Sequence, residues 1–125
     1  MSSPTTKRLI VLIVEDEALI RMDAVEMILA AGYEVLEAAN ADQAIDILES
    51  RTDIAIVFTD IQMPGSIDGL KLAHAVRHRW PPVKIVTCSG HIKVIQEDLP
   101  EGARFVRKPY SKSEIAVTFR ELLAA

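Results

Sequence analysis

Three carboxylic acids, a hydroxyl and an amine each follow a hydrophobic segment of the chain. Glu15 and Asp16 come directly after the first segment, Asp60 ends another, and Ser89 and Lys108 follow two later ones. Clustered carboxylates repel one another unless a cation joins them or one of them holds a proton. Oxygen ligands in this number suit Mg²⁺, which binds one or two carboxylates and keeps several waters. The pattern therefore indicates a metal site whose remaining ligand is an anionic oxygen, such as that of a phosphoryl group.

Asp60 is the best nucleophile in this set, because it ends a hydrophobic strand and is followed by a turn-rich segment. A magnesium ion and Lys108 would neutralise charge during transfer of a phosphoryl group, and Ser89 could donate a hydrogen bond to it. Taken singly, each residue also has an ordinary structural explanation: Asp16 as a helix cap, Ser89 as a turn residue, Lys108 as a surface lysine. Their coincidence at four segment ends favours the functional interpretation.

Five short segments are predicted to be strands: Leu9 to Val14, Tyr33 to Leu36, Ile54 to Phe58, Val83 to Thr87, and Phe105 with Val106. The first and the third are aliphatic runs, which are typical of strands buried on both faces.

Segments with apolar residues at helical spacing follow these strands. They are Glu17 to Ala31, a segment capped by Asn40 and Gln43, a segment through Leu70 and Val76, a short weak helix from Ile92 to Leu99, and a last segment capped by Ser111 and Glu114. Five strands that alternate with five helices predict an α/β fold, a doubly wound parallel sheet with helices on both faces. Ligands of such sheets bind beyond the carboxyl ends of the strands, where the polar residues described above lie.

Length and composition narrow the class of protein further. The chain has 125 residues, enough for one domain, which we expect to span residues 8–125 after a flexible segment 1–7. A net charge of -4 and scattered basic residues argue against nucleic-acid binding. No hydrophobic run approaches the ~20 residues of a membrane-spanning helix. Cys88 is the only cysteine, so no internal disulfide is expected and a cytoplasmic location fits.

The same residues, in this order, resemble the receiver domain of bacterial response regulators, which act in two-component signalling. The matching segments are Val14–Glu17, Asp60–Pro64, Thr87–Gly90 and Phe105–Pro109. Each segment alone is a weak signal, but together with the alternating elements they resemble the family over nearly the whole chain. The resemblance implies a flavodoxin-like (βα)5 fold with strand order 2-1-3-4-5, and here the fourth helix would be shortened.

The resemblance also implies a role for each residue. Asp16 would bind the metal directly, Glu15 would hold a metal-bound water, and Gln62 would supply its backbone carbonyl. Asp60 would accept the phosphoryl group, and Ser89 and Lys108 would bind that group.

Two further roles follow from the resemblance. Phe105 would be an aromatic switch whose rotamer follows Ser89, and a cis peptide bond between Lys108 and Pro109 would aim the lysine. The cofactor would be Mg²⁺ or Mn²⁺.

A protein of this kind would receive its phosphoryl group from a histidine kinase or a histidine phosphotransfer protein. It would catalyse only its own phosphorylation and dephosphorylation, and would signal as a stand-alone domain by contact with a downstream protein. We expect a monomer or a weak homodimer, with neither nucleic acid nor membrane as a partner.

Two other functions remain open on the sequence alone. A docking module of the same fold would bind its partner without regard to phosphate. A Mg²⁺-dependent phosphohydrolase would use Asp60 as nucleophile, although many such enzymes need a general acid two residues later, where this chain has Gln62.

Overall fold

A computed structural model of the chain describes residues 8–62, 68–90 and 98–124. Within these ranges the strands are β1 (Ile10–Val14), β2 (Glu34–Ala38), β3 (Ile54–Asp60), β4 (Lys84–Ser89) and β5 (Arg104–Arg107). The helices of the same ranges are α1 (Ala18–Ala30), α2 (Ala41–Ser50), α3 (Gly69–Arg79) and α4 (Lys112–Ala124).

The strands form one parallel sheet in the order β2-β1-β3-β4-β5. The chain first adds β2 on one side of β1 and then crosses to the other side to add β3, so the strand order reverses between β1 and β3. This is the doubly wound α/β fold predicted from the sequence pattern, with the strand order that the resemblance implied. The carboxyl ends of β1 and β3 lie side by side at the reversal, with Val14 opposite Thr59, and a cleft opens at such a point.

Alternate side chains of β1 enter two separate cores, one on each face of the sheet. Leu12 and Val14 pack in the core beneath α2 and α3, whereas Val11 and Ile13 pack in the core beneath α1 and α4. Because both faces of β1 are covered, its sequence is a continuous aliphatic run rather than an alternating one.

Three helices begin at side chains that cap free backbone N–H groups. Asn40 accepts a hydrogen bond from the N–H of Gln43 at the start of α2, and Gln43 accepts one from the N–H of Ala39, both at 2.8 Å. Ser111 and Glu114 exchange the equivalent bonds before α4. Asp68 caps α3 by accepting from the N–H of Lys71 at 2.9 Å, a cap that the sequence analysis did not identify.

The predicted strand Tyr33 to Leu36 is displaced by one or two residues. The observed strand β2 runs from Glu34 to Ala38, because its backbone pairs with β1 until Ala38 lies opposite Val14. Residues 92–97 of the short helix predicted from Ile92 to Leu99 lie outside the described ranges. The N-terminal segment 1–7 also lies outside them. None of the helices in the described ranges is long and apolar enough to cross a membrane.

Candidate functional site

The first acid of the site, Glu15, follows β1 and is only 3% exposed. Its carboxylate accepts hydrogen bonds from the backbone N–H of Glu17 at 3.1 Å and from Nζ of Lys108 at 2.9 Å. Its own N–H donates to the carbonyl of Ala38 at 3.1 Å, which extends the pairing of β1 with β2 by one residue. Glu15 is therefore held in place by backbone and side-chain contacts, while Asp16 beside it is exposed.

Asp60 is the last residue of β3 and is also buried. Its Oδ1 accepts from the N–H of Gln62 at 3.0 Å, and its Oδ2 accepts from Nζ of Lys108 at 2.8 Å. The next residue, Ile61, donates its N–H to the carbonyl of Cys88 at 2.9 Å, so the end of β3 is tied to β4. The carboxylate of Asp60 is thereby directed toward the cleft at the strand reversal.

Lys108 follows β5, the strand at the far edge of the sheet. Its backbone N–H donates to the carbonyl of Ser89 at 3.0 Å, and the peptide bond between Lys108 and Pro109 is cis. From there the side chain extends across the end of β4 to reach both Asp60 and Glu15. A single ammonium group thus bridges carboxylates that come from two other strands.

Burial and charge shift the pKa values of Glu15 and Lys108. Desolvation raises the pKa of the Glu15 carboxyl, as does the negative charge of Asp60, and the hydrogen bonds from Lys108 and the Glu17 amide offset only part of this. Desolvation would lower the pKa of Lys108, but the hydrogen bonds to Asp60 and Glu15 outweigh it and raise that pKa above its ordinary value. The amine is therefore a fixed positive charge at neutral pH.

Oxygen atoms of Glu15, Asp16 and Asp60 all lie within 4.8 Å of one another. Three hard oxygen donors at this spacing match the ligand preference of Mg²⁺ or Mn²⁺. Lys108 contacts two of these three carboxylates with a single positive charge, so the donor set retains negative charge that a divalent cation would balance. The residues present therefore fit the metal that the sequence analysis predicted.

A pocket of about 270 Å³ opens over Asp60 and is lined by Glu17, Ile20, Asp60, Gln62, Gly90 and Lys108. It is large enough for a phosphoryl-sized group and its waters.

The other residues singled out from the sequence lie around this pocket or at the strand beside it. Ser89 is buried at the end of β4 and pairs in register with Arg107. Gln62 is exposed at the pocket rim. Phe105 lies on β5 opposite Thr87 and packs, half-buried, against the core beneath α2 and α3.

Two residues that support the site were missed by the sequence analysis. Arg21 of α1 donates a hydrogen bond to the carbonyl of Glu15 at 2.7 Å. At Gly69, the first residue of α3, an added Cβ would lie 1.7 Å from the carbonyl oxygen of Asp60. The sequence signal for Arg21 was that it is the lone basic residue within 18–30. The signal for Gly69 was its position directly after the aspartate that caps α3.

Similarities to known proteins agree with this geometry. The family model described as the response regulator receiver domain matches residues 11–120. The sensor kinase CckA of Brucella abortus is 36% identical over 117 residues, which are 90% of this chain and 12% of that protein. The transcriptional regulatory protein PdtaR of Mycobacterium tuberculosis is 36% identical over 125 residues, covering 91% of this chain and 60% of that protein.

Solved structures of receiver domains have a fold similar to that of this chain. A response regulator receiver protein from Sinorhizobium medicae superposes with a TM-score of 0.88 at 27% identity, over 94% of this chain and 96% of that one. The receiver domain of the hybrid histidine kinase CckA is 32% identical with a TM-score of 0.77, over 91% and 98% of the two chains. The family match over residues 11–120, together with these structures, shows that the chain belongs to the response regulator receiver domain family.

Proposed function

We propose that the chain is a phosphorylation-dependent signalling switch that accepts a phosphoryl group on Asp60. The observation that carries this proposal is the bridge from Lys108 to both Glu15 and Asp60, at 2.9 and 2.8 Å, beside three carboxylates within 4.8 Å of one another. A structural ion pair would need only one acid, whereas here one ammonium group contacts two carboxylates and a third, that of Asp16, lies beside them.

The reaction follows from the groups that surround Asp60. An oxygen of its carboxylate attacks the phosphorus of a phosphohistidine on a histidine kinase or phosphotransfer protein. The new bond joins that oxygen to phosphorus, the phosphorus–nitrogen bond breaks, and its electron pair returns to the imidazole, which takes up a proton. Lys108, already at 2.8 Å from the carboxylate, lies where it can neutralise the negative charge of the transferred group.

A magnesium or manganese ion held by Glu15, Asp16, Asp60 and the backbone carbonyl of Gln62 would supply further charge neutralisation. Ser89 would donate its hydroxyl to the phosphoryl oxygens. Phe105 would then change rotamer, and a partner protein would bind the altered surface; a local charge change of this kind biases a two-state element. The domain would act in the cytoplasm and would catalyse only its own phosphorylation and dephosphorylation.

Intact-mass measurement tests the proposal directly. The wild type incubated with acetyl phosphate and MgCl₂, or with a phosphorylated kinase, is expected to gain the mass of one phosphoryl group. Asp60→Asn should gain none, and chelation of the metal should abolish the gain in the wild type. A wild type that gains no mass from acetyl phosphate or from a panel of phosphorylated kinases would overturn the proposal and favour a phosphate-independent docking module.

A further inference from the structure

Arg21 connects three elements at the edge of the proposed metal site. It belongs to α1, its Nη1 donates to the carbonyl oxygen of Glu15 at 2.7 Å, and its Nε donates to Oε1 of Glu37 on β2 at 3.0 Å. The side chain is only 20% exposed, so its contacts are partly shielded from water. Hydrogen bonds from a charged donor are shorter and stronger than those between neutral groups, which fits the 2.7 Å distance.

The hydrogen bond from Arg21 is one of four that hold the backbone and side chain of Glu15. The N–H of Glu15 donates to Ala38, its two carboxylate oxygens accept from Lys108 and the N–H of Glu17, and its carbonyl accepts from Arg21. Two of these contacts hold the backbone of Glu15, namely the bond to Ala38 and the bond from Arg21. The bond from Arg21 acts on the carbonyl of the peptide unit that joins Glu15 to Asp16, where the chain leaves β1.

We infer that Arg21 is a positioning residue for metal binding, which holds the turn between β1 and α1 so that Glu15 and Asp16 face Asp60. Arg21 would touch neither the metal nor the phosphoryl group. The inference rests on the proposed function, because it assigns a role in building the metal site proposed there.

The sign of the effect on Mg²⁺ affinity separates positioning from simple electrostatics. Arg21 carries a positive charge and binds the backbone carbonyl of Glu15, and a positive charge near a metal site disfavours binding of a cation. If charge were its main contribution, removal of the guanidinium would tighten Mg²⁺ binding. If Arg21 instead positions Glu15 and Asp16, removal of the guanidinium weakens Mg²⁺ binding, even though the repulsion between Arg21 and the cation is lost.

Isothermal titration of unphosphorylated protein with MgCl₂ measures this effect in the wild type, Arg21→Met and Arg21→Lys. Loss of a group that orients metal ligands typically costs 10–100-fold in metal affinity, and we expect a loss of about tenfold for Arg21→Met. Arg21→Lys keeps the charge but not the paired donors, so it should lose affinity by a smaller factor. Unchanged or tighter binding in Arg21→Met would overturn the inference.

Arg51→Met is the matched control for charge. Arg51 pairs with Asp53 just before β3, at the opposite end of that strand from Asp60. Removal of Arg51 makes the net charge more negative by the same amount as removal of Arg21. We expect the Mg²⁺ affinity of Arg51→Met to stay within about twofold of the wild type, because exposed charges at this separation are largely screened. If Arg51→Met lost as much affinity as Arg21→Met, the effect would not be positional.

Hydrogen exchange of metal-free protein gives a readout that does not depend on the proposed function. The N–H of Glu17, which donates to the Glu15 carboxylate, should exchange about tenfold faster in Arg21→Met, since local opening sets such rates. The N–H of Ile61, which donates to Cys88 across the site, should be unchanged. Equal exchange of the Glu17 N–H in variant and wild type would overturn the inference.

The two readouts keep the inference and the proposed function distinguishable. A wild type that binds no Mg²⁺ and gains no phosphoryl group refutes the proposed function, and the exchange of the Glu17 N–H then still reports whether Arg21 holds the turn. If Arg21→Met does not fold, Arg21→Lys carries both measurements, because at equal charge only a positional role lowers its Mg²⁺ affinity.

Discussion

The ammonium nitrogen of Lys108 lies 2.9 Å from Oε1 of Glu15, although the two residues are 93 positions apart in the sequence. The same nitrogen lies 2.8 Å from Oδ2 of Asp60. The contact brings together the ends of β1, β3 and β5 and places one positive charge among the acids before any cation binds. Under the proposed function Lys108 would therefore have two opposing effects, since it would compete with a metal for the carboxylates and would assist the transfer of a phosphoryl group.

The variant Lys108→Met separates these two effects. Loss of the ammonium group removes the competing positive charge, so Mg²⁺ should bind more tightly than in the wild type. Phosphorylation by acetyl phosphate should slow by about 100-fold, the typical cost of removing one group that stabilises transition-state charge. Because the pKa of Lys108 is raised, the amine is charged at neutral pH. The changes in Mg²⁺ affinity and in phosphorylation rate should therefore both be seen at neutral pH.

Calorimetric titration and time-resolved intact mass measure the two quantities on the same sample. Lys112→Met, which removes an exposed lysine at the start of α4, serves as the control and should match the wild type in both. Wild-type phosphorylation kinetics in Lys108→Met would contradict the assigned role of the amine.

Gly69→Ala tests the close approach of α3 to the end of β3. The added methyl group would lie 1.7 Å from the carbonyl oxygen of Asp60, so α3 or the strand end must move. Overpacking of this kind costs about 1–3 kcal/mol, whereas helix propensity alone would make alanine stabilising by about 1 kcal/mol. Urea denaturation should therefore show a lower free energy of unfolding.

Gly90→Ala provides the comparison for Gly69→Ala. A Cβ at Gly90 would meet Cβ of Lys108 at 3.7 Å, an ordinary van der Waals contact. We expect its free energy of unfolding to change by less than about 0.5 kcal/mol, as for most substitutions without a clash. Greater stability of Gly69→Ala than of the wild type would show that α3 does not contact the strand end this closely.

The thiol of Cys88 should be unreactive in the folded protein. Cys88 is 2% exposed, and desolvation raises its pKa well above the ordinary value, so little thiolate forms near pH 8. A chromogenic disulfide reagent should react on the order of 100-fold more slowly with native protein than with protein unfolded in guanidinium chloride. Comparable rates in the two states would mean that the β4 end is open to solvent.

Phe119 of α4 is the aromatic centre of the core beneath α1 and α4. Its ring makes edge-to-face contacts with Tyr33 and Phe58, at centroid distances of 5.4 and 5.8 Å. Phe119→Ala should lower the free energy of unfolding by about 3–5 kcal/mol, the usual cost for a fully buried phenylalanine. Val117→Ala in the same helix removes a side chain that is 40% exposed and should cost less than about 0.5 kcal/mol. Equal denaturation midpoints for the two variants would contradict the packing.

Features set by neighbouring residues could be predicted from the sequence. The aliphatic runs of β1 and β3 indicate strands buried on both faces, and the pairs Asn40–Gln43 and Ser111–Glu114 mark helix starts through local hydrogen bonds. The convergence of Glu15, Asp16, Asp60 and Lys108 could also be predicted, because parallel strands bring their carboxyl ends to one edge of the sheet.

Features set by distant residues could not be predicted in the same way. The limits of β2 depend on its pairing with β1, and the exposed side chains of Glu34 and Glu37 blur its hydrophobic pattern. The contact of Arg21 with Glu15 and the close approach of Gly69 to Asp60 arise only when α1 and α3 dock on the sheet. Neither leaves a periodic or motif-like trace in the chain.

The position of Lys108 after the edge strand β5 also orders events during synthesis on the ribosome. Glu15, Asp16 and Asp60 are translated well before Lys108, so a nascent chain can present the three acids while the amine that balances them is still unmade. A growing polypeptide therefore cannot form the complete pocket until translation has passed residue 108.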